Sequence, residues 1–301
     1  KVPAAGYKIH GLWISGLQRS LTPKNLSLPF KLVSSLWESR KIIKKFKPDF
    51  TVGVGGYASG PLNYIASKMG VPVYLQEQNS FPGITNKLLK DVARKICVAY
   101  HGMDRFFPKG KIVITGNPIR QDVLASAATR EEGLEYFSLK NDKKTILIVG
   151  GSLGARTINE AIQANLESME SAGVQLLWQT GINYNEEFGT FSWGTRTAFI
   201  KRMDLAYKVA DVVISRAGAM SVSELSALGK ATIFVPSPFV SEDHQTKNAM
   251  SLVDKQAALL CQDAEATAKL GGMVISLLQD EEQMSALQDK IKKLGLPLAA
   301  Q

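Results

Sequence analysis

The sequence predicts an α/β protein with two doubly wound domains, each built around a parallel sheet. Short apolar runs alternate with helical segments along the whole chain, which is the pattern of repeated βαβ units. Two of these runs end in glycine-rich turns that open a helix, at 145–162 and 210–229. The length of 301 residues leaves room for two domains.

The apolar runs place the strands. In the first half they predict strands at 49–56, 71–78 and 111–116, with a helix over 59–70 that ends at Gly70. In the second half they predict strands at 145–151, 174–181, 211–218 and 231–238, with helices in the intervals.

A break in this pattern marks the domain boundary. Asn117-Pro118 interrupts regular structure, and the polar, charged segment 124–143 follows. We therefore predict an N-terminal domain of residues 1–119 and a C-terminal domain of residues 120–301. Doubly wound sheets bind ligands at the carboxyl ends of their strands, so we expect those ends to face a deep cleft between the domains.

Composition narrows the class of protein. Hydrophobic residues make up 45% of the chain and charged residues 21%, which is ordinary for a globular protein. No apolar run is long enough for a transmembrane helix, and no secretory signal peptide is visible. Cys97 and Cys261 lie in apolar runs and predict buried free thiols. No His, Cys or Asp cluster has the spacing of metal ligands.

The net charge of +9 is unevenly divided. Residues 1–119 hold 18 Lys and Arg against 5 Asp and Glu, a net charge of +13, whereas residues 120–301 hold 18 against 22, a net charge of −4. This asymmetry predicts an anionic partner, which is nucleic acid, an anionic membrane or a phosphorylated substrate. Nucleic acid is disfavoured because the sequence contains no recognised nucleic-acid-binding module.

The stretch 26–47 gives the membrane hypothesis a location. It mixes large apolar side chains, Trp37 among them, with a run of basic residues that includes Lys41 and Lys44. An amphipathic basic helix of this kind binds the surface of an anionic leaflet. The alternative is a helix that packs on the sheet and turns a lysine-rich face to solvent.

The two glycine-rich turns predict an anion site. Each aims backbone N–H groups and the positive end of a helix dipole at the point where a strand ends, which favours a diphosphate. Neither turn has the G-x-G-x-x-G or the G-x-x-x-x-G-K-[ST] pattern. A purely steric role for the glycines therefore stays open for either turn taken alone.

Six motifs taken together resemble the MurG family, the peptidoglycan N-acetylglucosaminyltransferases. In chain order they are GVGGYASGP (53–61), LQEQNSFPGITNKLL (75–89), ITGNPIR (114–120), VGGSLGARTIN (149–159), SRAGAMSVSEL (215–225) and DHQTKNA (243–249). The resemblance implies a GT-B fold, with two Rossmann-like domains facing a deep cleft. It also implies an inverting transfer of N-acetylglucosamine from UDP-N-acetylglucosamine to the muramyl 4-hydroxyl of lipid I, which gives lipid II without a metal or other cofactor. The expected location is the cytoplasmic face of the bacterial plasma membrane, where the enzyme is peripheral.

The resemblance assigns the donor to residues of the second half. They are Gly150, Gly151, Ser152, Phe199, Ile200, Ala219, Met220, Ser221, Glu224, His244 and Gln245. Within this set, Glu224 is expected to accept both ribose hydroxyls and Gln245 to bond the sugar, while His244 either helps or caps a helix. The alternative for Glu224 is a solvated carboxylate that supports a helix start.

Two residues are expected to take part in catalysis, Arg120 and Glu77. The Arg120 guanidinium suits the charge that develops on the phosphates, although a surface salt bridge between the domains is the alternative. Glu77 is expected to act either as a base or in positioning the sugar.

The acceptor is assigned to the first half, at Gly55, Gly56, Tyr57 and Asn79. For Tyr57 the alternative is a ring packed under the glycine loop. The family's first glycine loop, GGTGGH, is absent, so the N-terminal domain is expected to lack its first strand, glycine loop and helix. The family histidine in that loop is therefore not assigned to any residue here.

Two further functions stay open. One is another GT-B glycosyltransferase that makes glycolipids. The other is a non-catalytic subunit that binds a nucleotide sugar or docks on a membrane.

Overall fold

The computed structural model describes residues 2–15, 27–184 and 191–299. These residues form two compact units, unit 1 over Lys1–Thr115 and unit 2 over Gly116–Gln301. The chain passes from one unit to the other beside the predicted Asn117-Pro118 break.

Unit 1 contains a four-stranded parallel sheet in the order β1-β2-β3-β4. Its strands are β1 (Thr51–Gly53), β2 (Val73–Glu77), β3 (Lys95–Val98) and β4 (Ile112–Ile114). Its α-helices are α1 (Leu28–Phe46), α2 (Ser59–Lys68) and α3 (Ile84–Leu89). Leu75 and Ile96 are fully buried in its core.

Unit 2 contains a six-stranded parallel sheet in the order β10-β9-β8-β5-β6-β7. The strands are β5 (Thr145–Val149), β6 (Gln175–Gln179), β7 (Gly194–Thr197), β8 (Val212–Ser215), β9 (Ala231–Phe234) and β10 (Leu259–Leu260). The α-helices are α4 (Gln121–Leu124), α5 (Arg130–Tyr136), α6 (Arg156–Ala164), α7 (Leu166–Ser171), α8 (Met203–Val209), α9 (Ala219–Leu228), α10 (His244–Val253), α11 (Ala266–Gln279) and α12 (Glu281–Lys293).

The central strands of unit 2 are buried on both faces. Every residue of β6 and of β8 is buried, which is why these segments read as almost continuous apolar runs. Trp178 on β6 is fully buried, and its indole N–H donates to Oδ1 of Asn159 on α6 at 3.0 Å. That bond satisfies the one polar atom of the largest core side chain.

The first residue of unit 2 lies against the segment that follows α12. Gly116 has φ +86°, and a Cβ at this position would lie 2.7 Å from Cβ of Leu296 and 3.2 Å from Cβ of Ala299. The segment after α12 therefore packs directly on the backbone of the unit's first residue.

The predicted fold class is confirmed, since both sheets are parallel and covered by helices. All seven predicted strands are present, and the predicted helix after β1 is α2. Three further strands, β3, β7 and β10, are not among those predicted. Both cysteines are free; Cys261 is buried as predicted, whereas Cys97 is only half-buried.

The basic stretch forms α1, although its first residue, Leu26, lies outside the described residues. Across the part of the chain that the structure describes, no helix has the length and apolarity to cross a bilayer.

Candidate functional site

The two glycine-rich turns of unit 2 follow adjacent strands. Val149 at the end of β5 pairs with Ser215 at the end of β8. The strand order reverses here, because β6 and β7 lie on one side of β5 while β8, β9 and β10 lie on the other. Such a reversal opens a crevice at the carboxyl ends of the strands, where doubly wound sheets bind ligands.

The turn after β5 leaves its backbone N–H groups available. Within the described residues, no hydrogen bond occupies the N–H of Gly150, Gly151 or Ser152. A Cβ on Gly150 would lie 2.7 Å from the backbone nitrogen of Ala155, and Gly151 has φ +94°, so both positions need glycine. Successive free N–H groups in such a turn form an anion-binding concavity.

The turn after β8 opens helix α9. Gly218 precedes the helix in an extended conformation, and no side chain caps the N–H groups of Ala219, Met220 and Ser221. These N–H groups carry the positive end of the helix dipole. The structure therefore brings the predicted residues 150–152 and 219–221 to neighbouring strand ends.

Glu224 lies on α9 with its side chain only 14% exposed. Its Oε2 accepts a hydrogen bond from the Tyr207 hydroxyl at 3.0 Å, and its Oε1 lies 3.9 Å from Nε of Arg120. Burial raises the pKa of the Glu224 carboxyl, and the hydrogen bond from Tyr207 and the charge of Arg120 partly oppose that rise. The carboxylate is therefore not the solvated one of the alternative interpretation.

Arg120 is placed beside Glu224 by its own segment. Asn117, three residues earlier, is buried and donates from Nδ2 to Oγ of Ser223 on α9 at 2.9 Å. Among the described residues, the carboxylates that lie within 4 Å of the Arg120 guanidinium are those of Asp122 and Glu224, and both belong to unit 2. These ion pairs are therefore not the interdomain salt bridge of the alternative interpretation.

Phe199 and Ile200 follow β7. Ile200 is buried and donates its backbone N–H to Oε1 of Gln179 at 2.8 Å, whereas the Phe199 side chain is exposed. Gln179 therefore occupies the N–H of Ile200, and the side chain that this segment exposes is the ring of Phe199.

His244 and Gln245 begin α10. Oε1 of Gln245 accepts from the backbone N–H of Ser237 at 2.9 Å, which fixes the loop after β9. In the described chain, Nε2 of Gln245 has no partner, so this amide keeps two N–H groups for a ligand. Nδ1 of His244 is buried without a hydrogen bond among the described residues, so it caps nothing there.

In unit 1, the predicted acceptor glycines follow β1. Gly55 and Gly56 have φ +83° and +73°, a conformation that glycine adopts without strain. The Tyr57 side chain is 56% exposed, so its ring is not packed under the loop. The loop therefore presents an aromatic ring beside bare backbone.

Glu77 ends β2 and is buried. Its Oε1 accepts from the backbone N–H and from Nδ2 of Asn79, at 3.1 and 3.4 Å. Its Oε2 accepts from the N–H of Gly83 at 3.1 Å and from Nδ2 of Asn86 at 2.8 Å. Four N–H donors surround the carboxylate, so Glu77 holds the 78–83 loop, including Asn79, against α3.

Most of the predicted residues thus follow the carboxyl ends of strands within each unit, whereas Glu224 lies on α9 and His244 and Gln245 begin α10. Two further residues, Tyr207 and Gln179, hold predicted site residues in place. Gln179 follows the apolar run 176–178 at the carboxyl end of β6, and a polar residue at that position is a signal that the sequence contains. Tyr207 lies in a helical run and carries no comparable signal.

Family models match both units of the chain. Residues 145–301 match the glycosyltransferase family 28 C-terminal domain, and residues 1–98 match the glycosyltransferase family 28 N-terminal domain.

Relatives of the same kind match nearly the whole chain. A "UDP-N-acetylglucosamine--N-acetylmuramyl-(pentapeptide) pyrophosphoryl-undecaprenol N-acetylglucosamine transferase" from Christiangramia forsetii is 54% identical over 301 residues, covering 99% of this chain and 82% of the relative. A protein of the same name from Bacteroides fragilis is 50% identical over 308 residues, covering 100% and 81%.

Solved structures show the same fold. MurG of Acinetobacter baumannii superposes with a TM-score of 0.79 at 29% identity, over 99% of this chain and 84% of that one. A UDP-GlcNAc 2-epimerase from Neisseria meningitidis, bound to UDP-GlcNAc, superposes with a TM-score of 0.67 at 13% identity, over 93% and 81%. The second likeness concerns the fold alone.

Proposed function

This chain belongs to the MurG family of glycosyltransferases, and we propose that it transfers N-acetylglucosamine from UDP-N-acetylglucosamine to the muramyl 4-hydroxyl of lipid I. The product is lipid II, a precursor of peptidoglycan. The observation that carries the proposal is a pair of turns, after β5 and β8, whose backbone N–H groups are available to a ligand. The two turns lie at adjacent strand ends, beside Glu224 and Arg120.

The donor binds along the carboxyl edge of the sheet in unit 2. Its phosphates bond the free N–H groups of residues 150–152 and 219–221, and its base lies at Phe199 and Ile200. The buried carboxylate of Glu224 accepts the ribose hydroxyls. The free N–H groups of Gln245 bond the sugar, with His244 beside them.

The reaction is an inverting displacement. The acceptor hydroxyl attacks the anomeric carbon from the face opposite UDP, through a transition state with oxocarbenium character. Negative charge develops on the departing phosphates, and the N-terminus of α9 and the Arg120 guanidinium stabilise it. Fixed dipoles and a guanidinium already in place need no reorganisation as the charge develops.

Unit 1 receives the acceptor at Gly55, Gly56, Tyr57 and Asn79. We assign Glu77 to positioning Asn79, because action as a base requires it to exchange its N–H donors for a substrate proton.

Release of UDP tests the proposed function directly. With UDP-N-acetylglucosamine and a short-chain lipid I analogue, we expect UDP and a disaccharide product, whereas UDP-hexoses should react slowly. Faster turnover with a UDP-hexose and another glycolipid would indicate the alternative GT-B transferase. Donor binding without any UDP release would indicate a non-catalytic subunit.

Gln245→Glu is expected to weaken the sugar contact alone. The new carboxylate still accepts from Ser237 N–H, but it cannot donate to the sugar hydroxyls. Affinity for UDP-N-acetylglucosamine should fall by about 0.5–1.5 kcal/mol per lost hydrogen bond, while affinity for UDP stays unchanged in calorimetry. Gln245→Ala is the control, since it also releases the Ser237 loop. Equal losses for UDP and the UDP-sugar in the Glu variant would place Gln245 on the nucleotide.

We also propose that unit 1 binds an anionic membrane surface through α1, on the cytoplasmic face of the plasma membrane. The face that α1 buries carries Ser35, Ser39 and Ile43. Several of its large apolar side chains instead project outward, with Phe30 72% exposed and Trp37 60% exposed. Exposed aromatic rings on a helix with a basic face are the groups that an interfacial helix inserts into a membrane surface, which supports the interfacial interpretation.

Basic side chains accompany these apolar groups. Lys41, Lys44, Lys45 and Lys47 are exposed, and Nζ of Lys41 lies 3.2 Å from the centroid of the Trp37 ring. The ring and the cation therefore form one amphipathic group, suited to the boundary between lipid headgroups and acyl chains.

Changing those four lysines to glutamine should weaken binding to anionic vesicles by on the order of 1 kcal/mol per charge. Raising the salt should also weaken binding by the unchanged chain, because exposed charges are screened beyond about 8–10 Å. Co-sedimentation with vesicles of mixed anionic and neutral lipid measures both effects. Trp37→Ala should weaken binding but leave its salt dependence unchanged.

The matched control changes four exposed lysines of unit 2, Lys140, Lys208, Lys255 and Lys293. We expect this variant to bind vesicles as the unchanged chain does. Equal binding of the unchanged chain to neutral and anionic vesicles would count against the electrostatic account.

A further inference from the structure

Gln179 connects two loops of unit 2 that are far apart in sequence. It ends β6, the strand between β5 and β7, and its side chain is buried. Nε2 donates to the backbone carbonyl of Gly151 at 3.0 Å, and Oε1 accepts from the backbone N–H of Ile200 at 2.8 Å. One carboxamide therefore bonds the turn after β5 and the segment after β7 at the same time.

The end of β6 gives this carboxamide a fixed base. The carbonyl oxygen of Thr180, the next residue, accepts from Nδ2 of Asn159 at 2.9 Å. Gly181 lies so close to Gly154 that a Cβ on Gly181 would overlap the backbone nitrogen of Gly154. These contacts hold the strand end against α6 and the turn after β5, and both loops that Gln179 bonds are anchored to that strand end.

The two bonded loops serve different parts of one ligand. The turn at Gly151 carries the free N–H groups suited to a diphosphate, and the segment at Ile200 is the one proposed for the base. We propose that Gln179 is a positioning residue that sets the spacing between the base subsite and the diphosphate subsite, and so selects a nucleoside diphosphate as a whole. This inference rests on the proposed function of the same site.

Two variants separate the two bonds. Gln179→Met has a similar length and loses both, so affinity for uridine and for UDP should fall. Gln179→Glu keeps an acceptor for Ile200 N–H but as a carboxylate cannot donate to Gly151. Its affinity for uridine should therefore stay unchanged while its affinity for UDP falls by about tenfold, as expected when one loop loses its preorganisation.

Gln175 provides a matched control on the same strand. It begins β6, is equally buried, and bonds the backbone of Lys140 and the hydroxyl of Thr145 at the opposite edge of the sheet. Gln175→Met should lower the melting temperature of the protein but leave the Kd for uridine and for UDP unchanged.

Calorimetric titration of the full chain with uridine and UDP, together with the melting temperature of each variant, tests the inference. The expected result is the selective loss of UDP affinity in Gln179→Glu. UDP binding unchanged in both Gln179 variants, or lost equally in Gln175→Met, would overturn the inference. If Gln179→Met does not fold, the Glu variant still decides. If the unchanged chain binds no UDP, the proposed function fails instead.

Discussion

Replacing Gly181 with alanine is expected to destabilise unit 2 by about 2–5 kcal/mol. The added Cβ would overlap backbone atoms of Leu153 and Gly154, and backbone cannot move aside as a flexible side chain does. Overpacking of this kind costs about 1–3 kcal/mol. The φ of +90° adds roughly 1–2 kcal/mol for any residue with a Cβ.

Thermal unfolding measures this effect. A domain of this size loses about 2–4 °C in Tm per kcal/mol, so a fall of roughly 4–20 °C is expected. Gly173→Ala is the control, since Gly173 has φ +73° but nothing within 4 Å of the position that a Cβ would take. It should show only the smaller cost of the backbone conformation. Equal shifts for the two variants would mean that the Gly154–Gly181 contact yields easily.

Loss of the Glu224 carboxylate is expected to weaken UDP binding by about 10–150-fold. A hydrogen bond to a charged group contributes about 1.5–3 kcal/mol, and 1.4 kcal/mol corresponds to about tenfold in Kd. Glu224→Gln is the better variant, because its carbonyl still accepts from Tyr207. Glu224→Ala leaves the buried Tyr207 hydroxyl without its acceptor and should also lower stability by about 1–3 kcal/mol.

The pH dependence of donor affinity gives a second measurement on the same residue. Because burial raises the pKa of Glu224, its protonation begins above the usual glutamate value of about 4.3. The neutral form is a weaker acceptor, so UDP affinity should fall as pH falls through that raised pKa. The affinity of Glu224→Gln, measured over the same pH range, shows the effect of the titration of UDP alone, because the glutamine side chain does not titrate. Parallel pH profiles for the two proteins would mean that Glu224 does not bind the ribose hydroxyls.

Strands that are buried on both faces consist largely of apolar residues, so the sequence predicted them. β5, β6, β8 and β9 are central and buried, and their predicted positions are confirmed. β7, with the sequence GTRT, is an edge strand of half-buried polar residues, so no apolar run marked it. β3 begins with an exposed lysine and buries only Ile96 and Val98, so its apolar pattern is weak. β3 and β7 are strands because they form hydrogen bonds with neighbouring strands, and their own residue pattern does not show this.

The site was predictable where a backbone turn defines it, because a glycine-rich turn between strand and helix is visible in sequence. The supporting contacts were not. Tyr207 meets Glu224 from a different helix, and the hydrogen bonds of Gln179 join residues 28 and 21 positions away. In the sequence, Glu77 is likewise only a carboxylate at the end of a predicted strand. Its four hydrogen-bond donors are visible only in the structure, where the 78–83 loop and α3 fold against it.

The contact of Gly116 with Leu296 has a consequence for the chain order of unit 2. Because the first residue and the last described segment lie together, a short linker can join them without disturbing a strand. New ends can then be opened at the exposed turn of Gly173, between α7 and β6. Such a circular permutant keeps every strand pairing and every loop at the carboxyl edge. The order of the strands in this sheet is set by how they pack. We therefore expect unit 2 to fold with its first residue at more than one position along the chain.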